Sequence, residues 1–254
     1  MKCQMSKFID ELKRVSQVGS QPMGFRVAQT VPQKPRMLLV AALAEANVEG
    51  LADFVAGADA GLVPIHTPGS AKTVHKISRA MSSIPWGGWL KEAGGEGVKS
   101  VAGCDFVVFP SDTALTTLQD TGVGKILEVE ASLGEGLVKT IDDLPVDAVL
   151  ITSEQEKENL LTWHHLMLFR RCAWLLTKPL LASVPANITA SELQALWAAG
   201  VVAVVVEAPP QGRITELRQM IDKLTFPLPT KRKAEPLLPH ISGEGGTVAE
   251  EEEE

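Results

Sequence analysis

Cys104-Asp-Phe-Val-Val-Phe109, Lys125-Ile-Leu-Glu-Val-Glu130 and Val146-Asp-Ala-Val-Leu-Ile151 are three apolar runs of strand length, each separated from the next by a stretch of helical pattern. Such nearly continuous runs mark strands buried on both faces, as in a parallel sheet covered by helices. Working outward, the same unit recurs. Upstream lie Met37–Leu43, Gly61–Ile65 and Pro85–Leu90; downstream lie Pro179–Val184 and Val201–Glu207. Helical pattern occupies residues 46–56, 70–82, 96–102, 113–121, 136–143, 155–177, 190–199 and 213–224. Eight β–α units in a chain of 254 residues predict an α/β fold closed into a (β/α)8 barrel. An open, doubly wound sheet would carry a glycine-rich first turn. Here the first strand runs into Ala44-Glu-Ala-Asn47.

Punctuation around the units agrees. Thr189-Ala-Ser-Glu192 has the form of a capping box opening the seventh helix. Pro145 and Pro179 stand where helices give way to strands, and Pro227 and Pro229 end the eighth helix. Ahead of the barrel, residues 5–17 place Phe8, Ile9, Leu12 and Val15 on one helical face, followed by a stretch broken by Pro22, Gly24, Pro32 and Pro35. The expected organisation is an N-terminal helix and irregular lead-in over 1–36, the barrel over 37–225, and a disordered acidic tail over 226–254.

Composition narrows the function class. Net charge is −7, and five of the acidic residues form the run Glu250–Glu254, so the rest of the chain is nearly balanced. With no basic stripe interleaved with aromatics, nucleic acid is not expected as a partner. No apolar run reaches the roughly 20 residues that span a bilayer, so no membrane is expected. Cys3, Cys104 and Cys172 are odd in number and widely spaced, which fits a reducing, cytoplasmic setting rather than disulfides or zinc.

The seventh and eighth units, Pro179-Leu-Leu-Ala-Ser183 and Ala199-Gly-Val-Val-Ala-Val-Val205, resemble those of the aldolase-type TIM barrels, and the repeat pattern extends the resemblance over residues 37–224. The resemblance implies a TIM barrel whose chemistry sits at the C-terminal ends of the strands. It also implies a phosphate site, in some members serving FMN, on glycine-rich turns after strands seven and eight. This chain departs there: the turns read Pro185-Ala-Asn187 and Ala208-Pro-Pro-Gln-Gly212, and proline lacks the backbone donor a phosphate cradle uses. Gly212 is the position left for phosphate or FMN.

At the expected barrel mouth, strand five carries the most informative side chains. Alternation puts Glu128, Glu130 and Ser132 on one face, and Leu127 and Val129 on the other. The aliphatic pair belongs under helices, so the glutamates point inward, Glu128 deeper and Glu130 nearer the mouth. A carboxylate there needs a raised pKa, a cation or a donor such as an indole N–H. Raised-pKa carboxyls suit general acid–base chemistry. Glu130 is therefore the expected acid or base, with Glu128 setting its pKa. His66 after strand two and Lys91 after strand three are expected to orient or polarise substrate. Glu130, Glu207 and Asp112 form a candidate oxygen-rich site for Mg²⁺ or Mn²⁺, and Asp112 doubles as the cap of the fourth helix. Gly87 and Gly88 either leave room for a ligand beside Trp86 or Trp89, or are the small neighbours that bulky tryptophans on the helix side require. No lysine ends strand six, which disfavours a Schiff-base aldolase.

The reading is a small-metabolite lyase or isomerase working by carboxylate acid–base chemistry. The alternatives are a non-catalytic, regulatory barrel acting through oligomerisation, and a phosphate- or FMN-binding barrel. The helix at 155–177 is apolar on more than one face, which predicts a homodimer through it.

Overall fold

The computed structural model describes residues 6–17, 36–44, 51–65, 70–91, 101, 103–118, 122–152 and 160–226. Eight parallel strands close into a barrel in sequence order, β1 (Leu38–Ala42), β2 (Ala60–Ile65), β3 (Trp86–Leu90), β4 (Phe106–Pro110), β5 (Gly124–Glu130), β6 (Ala148–Thr152), β7 (Leu180–Val184) and β8 (Ala203–Glu207). Closure is made by β8 pairing with β1, Leu38 opposite Ala203 through Ala42 opposite Glu207. The helices are α1 (Lys7–Gln17), α2 (Leu51–Phe54), α3 (Ser70–Ala80), α4 (Glu135–Thr140), α5 (Trp163–Leu175), α6 (Ala190–Ala199) and α7 (Arg213–Lys223). The (β/α)8 barrel read from eight apolar runs is the fold observed.

Three helical segments differ from expectation. The second ends with α2 at Phe54, and its residues 46–50 lie outside the described residues. The fourth is only a 3-10 turn, Leu115–Thr117, behind Ala114 in an extended conformation. Thr113, Thr116 and Thr117 explain this: β-branched side chains lose χ1 freedom in a helix. The sixth begins at Trp163, where Thr162 accepts from the His165 N–H and the His165 ring accepts from the Thr162 N–H. Most of the expected helix at 96–102 lies outside the described residues, as do the 18–35 lead-in and the 227–254 tail. The capping box at Thr189 and Glu192 forms with both of its bonds.

The expected N-terminal helix closes the floor of the barrel. Phe8, Ile9, Leu12 and Val15 are buried, and the Phe8 ring lies 4.6 Å from that of Phe106. Asp105, just ahead of β4, accepts from the Ser6 hydroxyl (2.7 Å) and from the N–H groups of Lys7 (2.9 Å) and Phe8 (3.0 Å). A carboxylate there satisfies donors that the first helical turn leaves open and complements its positive pole. Floor contacts of this kind hold the barrel together and leave the opposite end to chemistry.

The two glycines of β3 are resolved by the same packing. A Cβ on Gly87 would sit 2.4 Å from the Phe106 ring, and one on Gly88 would sit 2.4 Å from Ile65 Cδ1. They make way for protein side chains, not for a ligand. Gly87→Ala is expected to cost about 1–3 kcal/mol as overpacking, read as a lower urea midpoint with an unchanged m-value.

Candidate active site at the barrel mouth

Alternation along β3 and β5 aims Trp89 and Glu128 into the barrel from strands that are not neighbours. The Trp89 indole N–H donates to Glu128 Oε2 at 2.6 Å, and Trp89 itself is 2% exposed. A wholly buried tryptophan needs a partner for its N–H, and the inward glutamate supplies one. Lys91, two positions further on, turns to the same side. Its Nζ lies 3.2 Å from the centroid of the Trp89 ring and 3.5 Å from Glu207 Oε2 at the end of β8. Glu207 Oε1 accepts from the Ser183 hydroxyl of β7 at 3.2 Å. Side chains from β3, β5, β7 and β8 thus form one connected polar group, Glu128–Trp89–Lys91–Glu207–Ser183, above an aliphatic barrel interior.

The electrostatics follow from that placement. Burial pushes the Glu128 carboxyl above the usual glutamate range. The Trp89 hydrogen bond and the Lys91 charge oppose the shift, and the Glu207 charge adds to it. Glu128 is half-buried and more willing to hold a proton than an ordinary surface glutamate. The ammonium of Lys91 lies between an aromatic face and a carboxylate, which fixes a flexible side chain at one spot over the mouth.

The backbone beneath Glu207 is unusual. Ala208 has φ of 43°, a left-handed conformation that L-alanine adopts only at a cost, and its N–H donates to the Ala42 carbonyl of β1 at 2.8 Å. Pro209 and Pro210 follow. Arg213 then reaches from α7 to the loop after β7: Nε donates to Ala186 O (2.6 Å), Nη2 to Ile188 O (3.0 Å), and Nη1 meets Glu216 (2.8 Å). Its guanidinium is committed to the loop after β7 and to its own helix. Gly212 is the left-handed residue that opens α7, with φ of 82°.

The expected residues divide as follows. Glu128, Lys91 and Glu207 come together. Glu130 does not join them: it is exposed and accepts from the Ser132 hydroxyl at 3.1 Å. The oxygen-rich set of Glu130, Glu207 and Asp112 is not assembled, and among the described residues no three His, Cys, Asp or Glu side chains converge on a metal-sized space. Each is drawn elsewhere, Glu130 to Ser132 and Glu207 to Lys91 and Ser183. Asp112 stands exposed on the turn after β4, and it does not cap the 3-10 turn, whose first residue follows Ala114. His66 lies outside the described residues. Ser183 is the member overlooked in the sequence; its one signal was a hydroxyl in the otherwise aliphatic run Leu180–Val184.

No protein-family model matches the chain, and no curated protein matches it in sequence. Solved structures do. The tryptophan synthase alpha-subunit of the hyperthermophile Pyrococcus furiosus matches at 14% identity with a TM-score of 0.57, covering 74% of this chain and 97% of that one. A 3-hexulose-6-phosphate synthase matches at 17% identity with a TM-score of 0.55, covering 73% of this chain and 100% of the other. The fold these proteins share with this chain is the (β/α)8 TIM barrel. At such low identity the likeness carries the fold alone. Among the described residues no helix is long and apolar enough to cross a membrane.

Proposed function

We propose that this barrel is an enzyme that moves a proton on a small carbonyl or hydroxy compound, as a lyase or isomerase. The observation that carries the reading is the inward Glu128 carboxyl, desolvated, held by the Trp89 indole and placed near an ammonium. A carboxyl with a raised pKa exchanges a proton more readily near neutrality. Glu128 is the acid or base. Lys91 polarises the substrate oxygen as negative charge develops on it, an electrostatic contribution from a group already fixed in place. Trp89 is a positioning residue that aims Glu128, and Glu207 with Ser183 positions Lys91. The substrate is small and lacks a phosphate, because Arg213 is consumed by protein acceptors and Pro209 and Pro210 stand in the usual cradle.

The test is a thermal-shift screen of small keto and hydroxy acids, followed by proton exchange in deuterated water. The expected result is a compound that stabilises the protein, loses that effect in Lys91→Met, and exchanges a carbon-bound proton only when Glu128 is present. If compounds bind but neither Lys91→Met nor Glu128→Gln alters binding or exchange, the proposal fails.

A further inference from the structure

The outer face of α5 carries an exposed apolar stripe. Trp163, Met167 and Trp174 are 83%, 70% and 63% exposed. At 100° per residue, Trp163, Met167, Arg170 and Trp174 fall within one narrow arc, while Phe169 and Cys172 are buried on the opposite side. The spacing alternates four, three and four residues, which is the repeat of a helix seam packed against another helix. Arg170 belongs to the stripe: its guanidinium lies 5.4 Å from the Trp174 ring, and Nη1 donates to Ala198 O at 2.8 Å, which holds the side chain in place.

We propose that this face is where a second copy of the chain docks, α5 against α5, antiparallel about a two-fold axis. The pattern is symmetric about the point between Leu168 and Phe169. A two-fold axis there sets Trp163 against the partner subunit's Trp174, and Met167 against the partner subunit's Arg170. One patch then meets itself with every position matched, as a two-fold interface requires. Tryptophan against tryptophan buries the most apolar area at each end. The flexible methionine lies along the aliphatic stem of an arginine at the centre, and no two like charges face each other. Area agrees. A tryptophan side chain carries up to roughly 250 Å², so Trp163, Met167 and Trp174 at these exposures present on the order of 500 Å² per copy, and the exposed Leu160 just ahead of α5 and Leu137 of α4, which packs beside α5, can extend this toward the ~800 Å² per partner of a standard interface.

Sedimentation equilibrium of the full chain tests this, with two substitutions at one exposed position. The wild type is expected at twice the 27.2 kDa chain mass. Met167→Lys opposes the partner subunit's Arg170 with a like charge and is expected to raise the dimer dissociation constant about 30-fold or more. Met167→Glu supplies that arginine with a carboxylate and is expected to keep most of the dimer. Far-ultraviolet circular dichroism and melting temperature confirm that both variants fold, since the side chain packs on nothing inside the barrel. A wild type that sediments as a monomer across the micromolar range overturns the proposal, whether the face is covered by the chain's own tail or by another protein. Equal weakening by Lys and Glu, or none by either, overturns the two-fold register.

Discussion

Glu128→Gln is expected to lower kcat by about 10² to 10⁴, the range that a positioned general acid or base supplies, with KM nearly unchanged. The glutamine keeps the shape and an acceptor for the Trp89 N–H, so the substitution removes the proton and not the site. Stability must move the other way if the reading is right. Burial raises the Glu128 pKa in the folded chain. A group raised in this way contributes stability that is fully present below its unfolded pKa and lost as pH rises through the folded one. The wild type therefore loses stability on going from acid toward neutral pH by a step that Glu128→Gln lacks, and at neutral pH the variant is at least as stable. A melting-temperature profile against pH checks this without any substrate. The Trp89 indole proton resonance should titrate with the carboxyl and stop titrating in the variant. Loss of activity together with loss of stability would instead mark Glu128 as a structural partner of Trp89.

The barrel was legible because it depends on local pattern. Eight apolar runs buried on both faces need only strand length and spacing, and every expected run overlaps an observed strand, with ends that agree to within two residues. The inward direction of Glu128 was legible for the same reason, since alternation along β5 needs no knowledge of the other strands. Which glutamate joins the connected polar group was not. That depends on Trp89 reaching across the interior from β3, and on Lys91 meeting Glu207 of β8. Both contacts arise only when the sheet closes, between residues 39 and 116 positions apart in sequence. The pair Gly87 and Gly88 was ambiguous on similar grounds, because Phe106 and Ile65 belong to the neighbouring strands. The fourth helix failed for a local reason: three threonines stood in a segment scored on apolar spacing, and propensity prevailed. Asp112 lost its expected capping role with that helix.

Asp59→Ala is expected to be the most damaging single change to stability, at about 3–5 kcal/mol, a large share of the 5–15 kcal/mol that holds a typical fold. Asp59 precedes β2 at the barrel floor and is nearly buried, its side chain 9% exposed. It accepts from the Leu39 N–H of β1 at 2.8 Å and from Arg218 Nη1 of α7 at 3.0 Å, and it pairs with Arg36 ahead of β1. One carboxylate thus ties the first strand to the last helix at the seam where the barrel closes. Removing it strands the Leu39 N–H and the 10%-exposed Arg218, whose Nη2 keeps Asp222 at 2.7 Å but whose Nε has no hydrogen-bond partner among the described residues. Burial pushes the Asp59 carboxyl above its usual range despite the Leu39 N–H and both arginines. The ionised network is therefore costly to bury even when complete. That combination has a specific signature: breaking one side is far worse than replacing both. Asp59→Ala with Arg218→Met should recover most of the loss, because the methionine fills the guanidinium's path without its charge. Urea unfolding of the single and double variants measures the difference. A loss below about 1 kcal/mol for Asp59→Ala, the size of a solvent-screened surface pair, would show that closure of the barrel does not depend on this carboxylate.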